Sequence, residues 1–252
     1  CMNYDDYFDE EKVKKATSAY FGLCSFLDHN IGTVLSALDN SEFSNDTNIL
    51  YTSDHGDALG MRGMWGKSTM FEESAGVPMI LKGPEIPISK KIKTPVSLVD
   101  IFPTVIDSLK LSKNKKDDDL PGKSLLEIAN EEDNYERIVL SEYHAAASPV
   151  GAFMLRKGKY KYVYFAEGYS PQLFNIDEDQ YEENDLALDV SYKSILDNFH
   201  NELKKICDPE DVNARAKKEQ QEKIEKHGGI EAIMGRGDFG YSPAPGQNPK
   251  FD

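Results

Sequence analysis

An apolar run that stops abruptly at a cluster of polar residues constrains this chain more than any other feature. Ile49-Leu50-Tyr51-Thr52 is followed at once by Ser53-Asp54-His55-Gly56-Asp57. Four β-prone residues bounded by turn formers predict a short buried strand ending in a polar loop. Residues 9–39 precede it with apolar side chains at steps of three and four: Val13, Ala16, Tyr20, Leu23, Leu27, Ile31, Val34, Leu35 and Leu38. That spacing predicts one long helix with its apolar stripe in the core. Asp9, Glu10 and Glu11 favour its amino-terminal end, and Asp39-Asn40-Ser41 is a stop signal. Helix, loop, buried strand and polar loop predict an α/β domain.

Downstream, residues 58–76 are rich in Gly and Met without a clean period and read as a loop with a helical turn. Val77–Lys82 reads as another strand, and residues 96–111 contain a helix with Pro103 in its first turn. Lys113 to Asp119 is a solvated charge run. After about residue 130 the pattern changes to strands at 138–140, 152–155, 160–164 and 172–175, with turns at Gly158 and Gly168–Pro171. A helix follows from Ser191 to Ile206, so a small antiparallel sheet backed by a helix is expected. Residues 209–234 read as polar helix, and the tail from Gly235 as irregular.

The net charge of −15 repels phosphate backbones and argues against nucleic acid as a partner. A local cationic pocket for an anionic substrate stays possible under that charge. No apolar run reaches membrane-spanning length. Three widely spaced cysteines, Cys1, Cys24 and Cys207, form neither a disulfide framework nor a zinc pair. A reducing cytoplasm is the default compartment. A periplasmic setting stays open, because the opening Cys-Met-Asn-Tyr reads as a truncated start.

Asp54 and His55 stand where ligands collect in open α/β sheets, beyond the carboxyl end of a strand. A carboxylate and an imidazole side by side can aim at one cation, and Gly56 permits the sharp turn. Lys67, beyond a Gly-rich excursion, can fold back and neutralise oxygens of a bound sulfate or phosphate. The plain alternative is a turn in which Asp caps backbone amides, with Lys67 simply solvated. Glu142-Tyr143-His144 follows the strand predicted at 138–140. A carboxylate among aromatics there would suit a quaternary ammonium group of a choline-type substrate, whereas surface pairing is the plainer role for Glu142 and His144. His29, His200 and His227 fall on helices or their ends and read as surface or interhelical residues. Arg236-Gly237-Asp238 reads as incidental.

The stretch NILYTSDHGDALGMRGMWGKSTMFEESAGVP, residues 48–78, resembles the signature block of the sulfatases of the alkaline phosphatase superfamily. The preceding helix with Leu27–Gly32 matches that family too, as does Val96–Thr104. Tyr160-Lys161-Tyr162, Leu173-Phe174-Asn175 and Glu182–Ala187 are similar to its small terminal subdomain. The resemblance covers residues 12 to about 187, with the motifs in the family's order. It implies part of an alkaline-phosphatase-like α/β domain over 1–130, a small antiparallel subdomain over 131–206 and a terminal extension over 207–252. It further implies that Asp54 and His55 are metal ligands and that Lys67 binds sulfate oxygens and stabilises the leaving oxygen. Relatives with Asn after this Asp use calcium, whereas His resembles the choline-sulfatase-like and phosphonate-monoester-hydrolase-like branch. Imidazole also suits manganese or zinc. Ca2+ is the expectation, with Mn2+ or Zn2+ as alternatives.

The departures from the family pattern are as informative. The nucleophile, a Cys or Ser in Cys/Ser-x-Pro-x-Arg matured to formylglycine, is not in this chain. Cys207-Asp208-Pro209-Glu210-Asp211 has Asp211 where the pattern needs Arg. The expected partners are a small-molecule sulfate ester, the missing amino-terminal part of the enzyme, and further copies in a homo-oligomer. Alone, the chain is expected to be inactive. A phosphonate monoester or phosphodiester hydrolase of the same superfamily, and a non-catalytic binding module derived from a sulfatase, are the competing readings.

Overall fold

The computed structural model describes residues 9–112, 114–145 and 148–237. Cys1, Lys113, Asp238 and the tail beyond it lie outside the described residues. Helix α1 (Glu10–Asp39) is capped by Asp9, whose side chain accepts from the N–H groups of Glu11 and Lys12. Strands β1 (Ile49–Thr52) and β2 (Met79–Lys82) pair antiparallel with Ile49 opposite Lys82. Between them lies the excursion 53–78, with a 3-10 turn at Met61–Gly63 and the helical turn α2 (Glu72–Ala75). Helix α3 (Ile101–Ser108) is introduced by a 3-10 turn boxed by Ser97 and Asp100. The buried Asp100 carboxylate accepts from the N–H groups of Ser97 and Lys123 and takes a two-pronged ion pair from Arg137.

The small sheet runs β3 (Ile138–Tyr143), β4 (Ala152–Lys157), β5 (Tyr160–Phe165) and β6 (Gln172–Asn175), antiparallel throughout and in chain order. Strand residues alternate between faces, so this sheet has two dressed sides. On one, Phe153, Leu155, Tyr162 and Leu173 pack against Phe199 and Leu203 of α5 (Lys193–Ile206). Each such buried side chain contributes about 1.5–3 kcal/mol. On the other, Ala152, Met154 and Val163 close over Met70 and Ala75 of the excursion. The sheet is thereby sandwiched between a helix and the loop that carries Lys67.

Four sequence expectations need correction. First, the apolar stripe of α1 is not a buried core face: Leu23, Leu27 and Val34 are exposed, and no described residue of α1 is fully buried. Second, β1 is half covered rather than buried. Third, β3 extends to Tyr143, so Glu142 and Tyr143 belong to the strand instead of following it. Fourth, the polar helical stretch from 209 divides into α6 (Pro209–Lys226) and α7 (Gly229–Met234). The left-handed pair Gly228 and Gly229 breaks it. The helix α4 (Leu125–Asn130), capped by Ser124, was too short to show a period. No helix among the described residues is long and apolar enough to cross a membrane.

Candidate active site

At the end of β1 the chain turns sharply. Ser53 Oγ donates to the carbonyl of His55 at 2.8 Å, and the His55 N–H donates to Asp54 Oδ1 at 3.0 Å. Gly56 then passes beneath α2, its N–H donating to the Ser74 carbonyl at 2.9 Å. A Cβ at Gly56 would lie 2.0 Å from the Glu73 carbonyl oxygen, so the close approach admits only glycine.

The excursion returns because Asp57 ties its two ends together. Its Oδ1 accepts from the N–H groups of Leu59 and Gly66, and Ala58 N–H donates to the Gly66 carbonyl. Lys67 is thus delivered back to the strand end. Its Nζ lies 2.7 Å from His55 Nε2, and Asp54 Oδ2 lies 3.4 Å from the same nitrogen. The geometry assigns the tautomer. His55 Nδ1 is 2.8 Å from the Gly56 carbonyl, which can only accept, so Nδ1 carries the proton. Nε2 then presents its lone pair toward Lys67 and Asp54. A backbone carbonyl orienting an imidazole in this way is how metal-ligating histidines are commonly held.

Electrostatics agree with that arrangement. Desolvation works to raise the Asp54 carboxyl, yet the backbone N–H of His55 and the charge of Lys67 hold it below its ordinary value. The Asp54 side chain is 83% exposed, so these two donors alone do not enclose an ion. Among the described residues no group of three or more His, Cys, Asp or Glu side chains is placed to hold a metal. Asp54 and His55 fit part of a metal site, with oxygen and nitrogen donors and an aligned lone pair.

Asp54, His55 and Lys67 share the wall of a cavity of about 610 Å³ with Glu72, Glu142, Tyr143 and Arg156. Glu142 sits opposite Phe153 in the register, and its carboxylate lies 3.4 Å from His144 Nε2. Tyr143 alternates to the other face, and its hydroxyl donates to Ser68 Oγ at 2.9 Å, one residue from Lys67. Cys207 caps α5 and Asp208-Pro209 begins α6, so that tripeptide is a helix junction. Sequence reasoning missed Asp57, Glu72, Lys161 and Glu182. Asp57 alone left a signal, as a loop former closing a Gly-rich segment.

A family model described as Sulfatase matches residues 2–111, and one described as N-sulphoglucosamine sulphohydrolase, C-terminal, matches residues 60–226. The chain belongs to the sulfatase family. Among its relatives, the choline-sulfatase of Rhizobium meliloti (strain 1021) is 39% identical over 186 residues, covering 74% of this chain and 35% of the relative. Arylsulfatase K of Danio rerio is 33% identical over 211 residues, covering 77% and 40%. Both are sulfuric ester hydrolases by name, and this sulfatase chain spans about two fifths of their length or less. A solved phosphonate monoester hydrolase of Agrobacterium radiobacter is 26% identical with a TM-score of 0.66, over 77% of this chain and 42% of that one. A 2-O GAG sulfatase shares the fold at 24% identity and a TM-score of 0.67, over 86% and 47%. The alkaline-phosphatase-like α/β architecture expected from the sequence is therefore shown.

Proposed function

We propose that this sulfatase chain contributes two metal ligands, Asp54 and His55, and a sulfate-binding cation, Lys67, to a sulfuric ester hydrolase. The observation that supports this most is the convergence of Lys67 Nζ on His55 Nε2 at 2.7 Å within one cavity. An ammonium that close to a lone pair stands where it can donate to sulfate oxygens instead, once the nitrogen is engaged by a cation. A divalent metal, Ca2+ with Mn2+ or Zn2+ as alternatives, would supply Lewis-acid polarisation of the ester oxygens. His55 holds its ring by the Gly56 carbonyl, and Asp54 stays ionised. Lys67 orients the anion and offsets charge on the leaving oxygen. The nucleophile, a formylglycine, is proposed to come from an amino-terminal part of the enzyme packed along the open stripe of α1.

In the complete enzyme, Lys67→Ala lowers kcat for a sulfate ester about 10²–10³-fold, the usual effect of losing one oxyanion donor. A variant within threefold of wild type ends the assignment of Lys67. Glu142→Ala, assayed alongside on choline sulfate, loses turnover if that carboxylate meets a quaternary ammonium. Unchanged turnover removes Glu142 from the substrate site and ends the choline-type reading. The 26% identity to a phosphonate monoester hydrolase favours a second reading, hydrolysis of phosphonate or phosphodiester substrates. Comparing sulfate-ester with phosphonate-ester kcat/KM separates the two.

A further inference from the structure

Lys161 is fully buried, and it stands on the loop-facing side of β5, level with Val163. Its Nζ lies 2.7 Å from Glu182 Oε1 and 3.0 Å from Glu72 Oε1. The other oxygen of Glu182 accepts the N–H of Glu72 at 2.6 Å. One carboxylate thus joins an ammonium of the small sheet to the first residue of α2. The far side of α2 touches the metal-ligand turn through the Gly56 N–H and Ser74 carbonyl. A second grip comes from Arg62, whose guanidinium donates to the Glu73 carboxylate and the Tyr181 carbonyl and lies 4.1 Å over the Phe71 ring. Arg62 (φ 53°) and Glu182 (φ 52°) both hold a left-handed backbone, which non-glycine residues seldom adopt. Two strained residues therefore converge on a four-residue turn.

Stability alone is a poor account of this cluster. Lys161 and Glu182 form a fully buried ion pair, with Glu72 half-buried beside them. A buried pair is commonly no better than apolar side chains of the same volume, and fixing a single arrangement is the better-attested use of buried polar groups. We infer that Lys161 is a positioning residue: through Glu72 and Glu182 it locks the turn 72–75, and with it the Asp54–His55 pair, to the small sheet. This rests on reading that pair as the site, but it can be tested without metal or substrate. The role also explains why the small sheet carries a buried charge on the face turned toward the loop.

Nitrogen-edited NMR of the His55 ring, in this chain at a pH where the imidazole is neutral, reads the arrangement directly. Wild type gives a single Nδ1–H tautomer, as the Gly56 carbonyl contact requires. Lys161→Met loses that single-tautomer pattern, and Lys161→Arg keeps it. Ile195→Ala, which loosens packing on the helix side of the sheet, lowers Tm and leaves the pattern intact. A wild-type pattern in folded Lys161→Met, or an equal disturbance in Ile195→Ala, overturns the proposal. Should Lys161→Met not fold, Glu182→Gln takes its place under the same two criteria. Failure here leaves the assignment of Asp54, His55 and Lys67 standing, because that assignment is tested separately by the Lys67→Ala assay.

Discussion

Gly56→Ala isolates the close approach on which the site geometry depends. Gly56 does not have a positive φ, so alanine meets no backbone penalty there. At such a position Gly→Ala would ordinarily stabilise by about 0.4–1 kcal/mol through the unfolded chain. The contact reverses the sign. The added Cβ lies 2.0 Å from the Glu73 carbonyl oxygen, and ordinary contact begins at 3.4 Å, so a backbone separation of 1.4 Å is required. The obstacle is main chain, and no rotamer change relieves it. Overpacking of this kind costs about 1–3 kcal/mol. Stretching the Gly56–Ser74 hydrogen bond adds about 0.5–1.5 kcal/mol. The net expectation is a loss of about 2–3 kcal/mol, or roughly 5–10 °C in Tm for a chain of this size. Thermal and urea unfolding followed by circular dichroism measure it. In the complete enzyme a shift of this size lowers turnover about 10²-fold. An unchanged or raised Tm would refute the steric reasoning, and wild-type turnover would refute the link from α2 to the ligand pair.

Two further outcomes follow from buried electrostatics. Arg137→Met leaves the Asp100 carboxylate with its two backbone donors but no countercharge; removing one partner of a buried pair costs about 3–5 kcal/mol, read as a lower urea midpoint with unchanged slope. His200 lies 3.3 Å from the Tyr162 hydroxyl, and burial, with Lys204 nearby, lowers its pKa below the ordinary 6.5. A depressed imidazole contributes stability that is present above 6.5 and is lost as pH falls toward and through its folded value. Wild type therefore loses more stability than His200→Gln on acidification below that point, and parallel stability–pH curves for the two proteins would contradict the assignment.

Much of this was already local in the chain. Strand β1 ends at Thr52 because apolar β-formers meet Ser53-Asp54, and α1 begins at Asp9 because its carboxylate caps two free amides. The small sheet follows from alternation and turn residues such as Gly158, and the pairing of Asp54 with His55 follows from adjacency. These features depend on neighbours within a few residues, so the sequence carries them.

Only the tertiary structure decided which of these groups meet. Lys67 reaches His55 through the Asp57-tied excursion, and Lys161 meets Glu72 and Glu182 across 89 and 21 residues. Periodicity shows which face of a strand a side chain takes, but not what stands opposite, so the meeting of Lys161 with Glu72 and Glu182 went unread. The same limit explains α1. Its apolar spacing specifies an amphipathic helix, while burial of the stripe needs a partner surface, and among the described residues that surface covers only part of it.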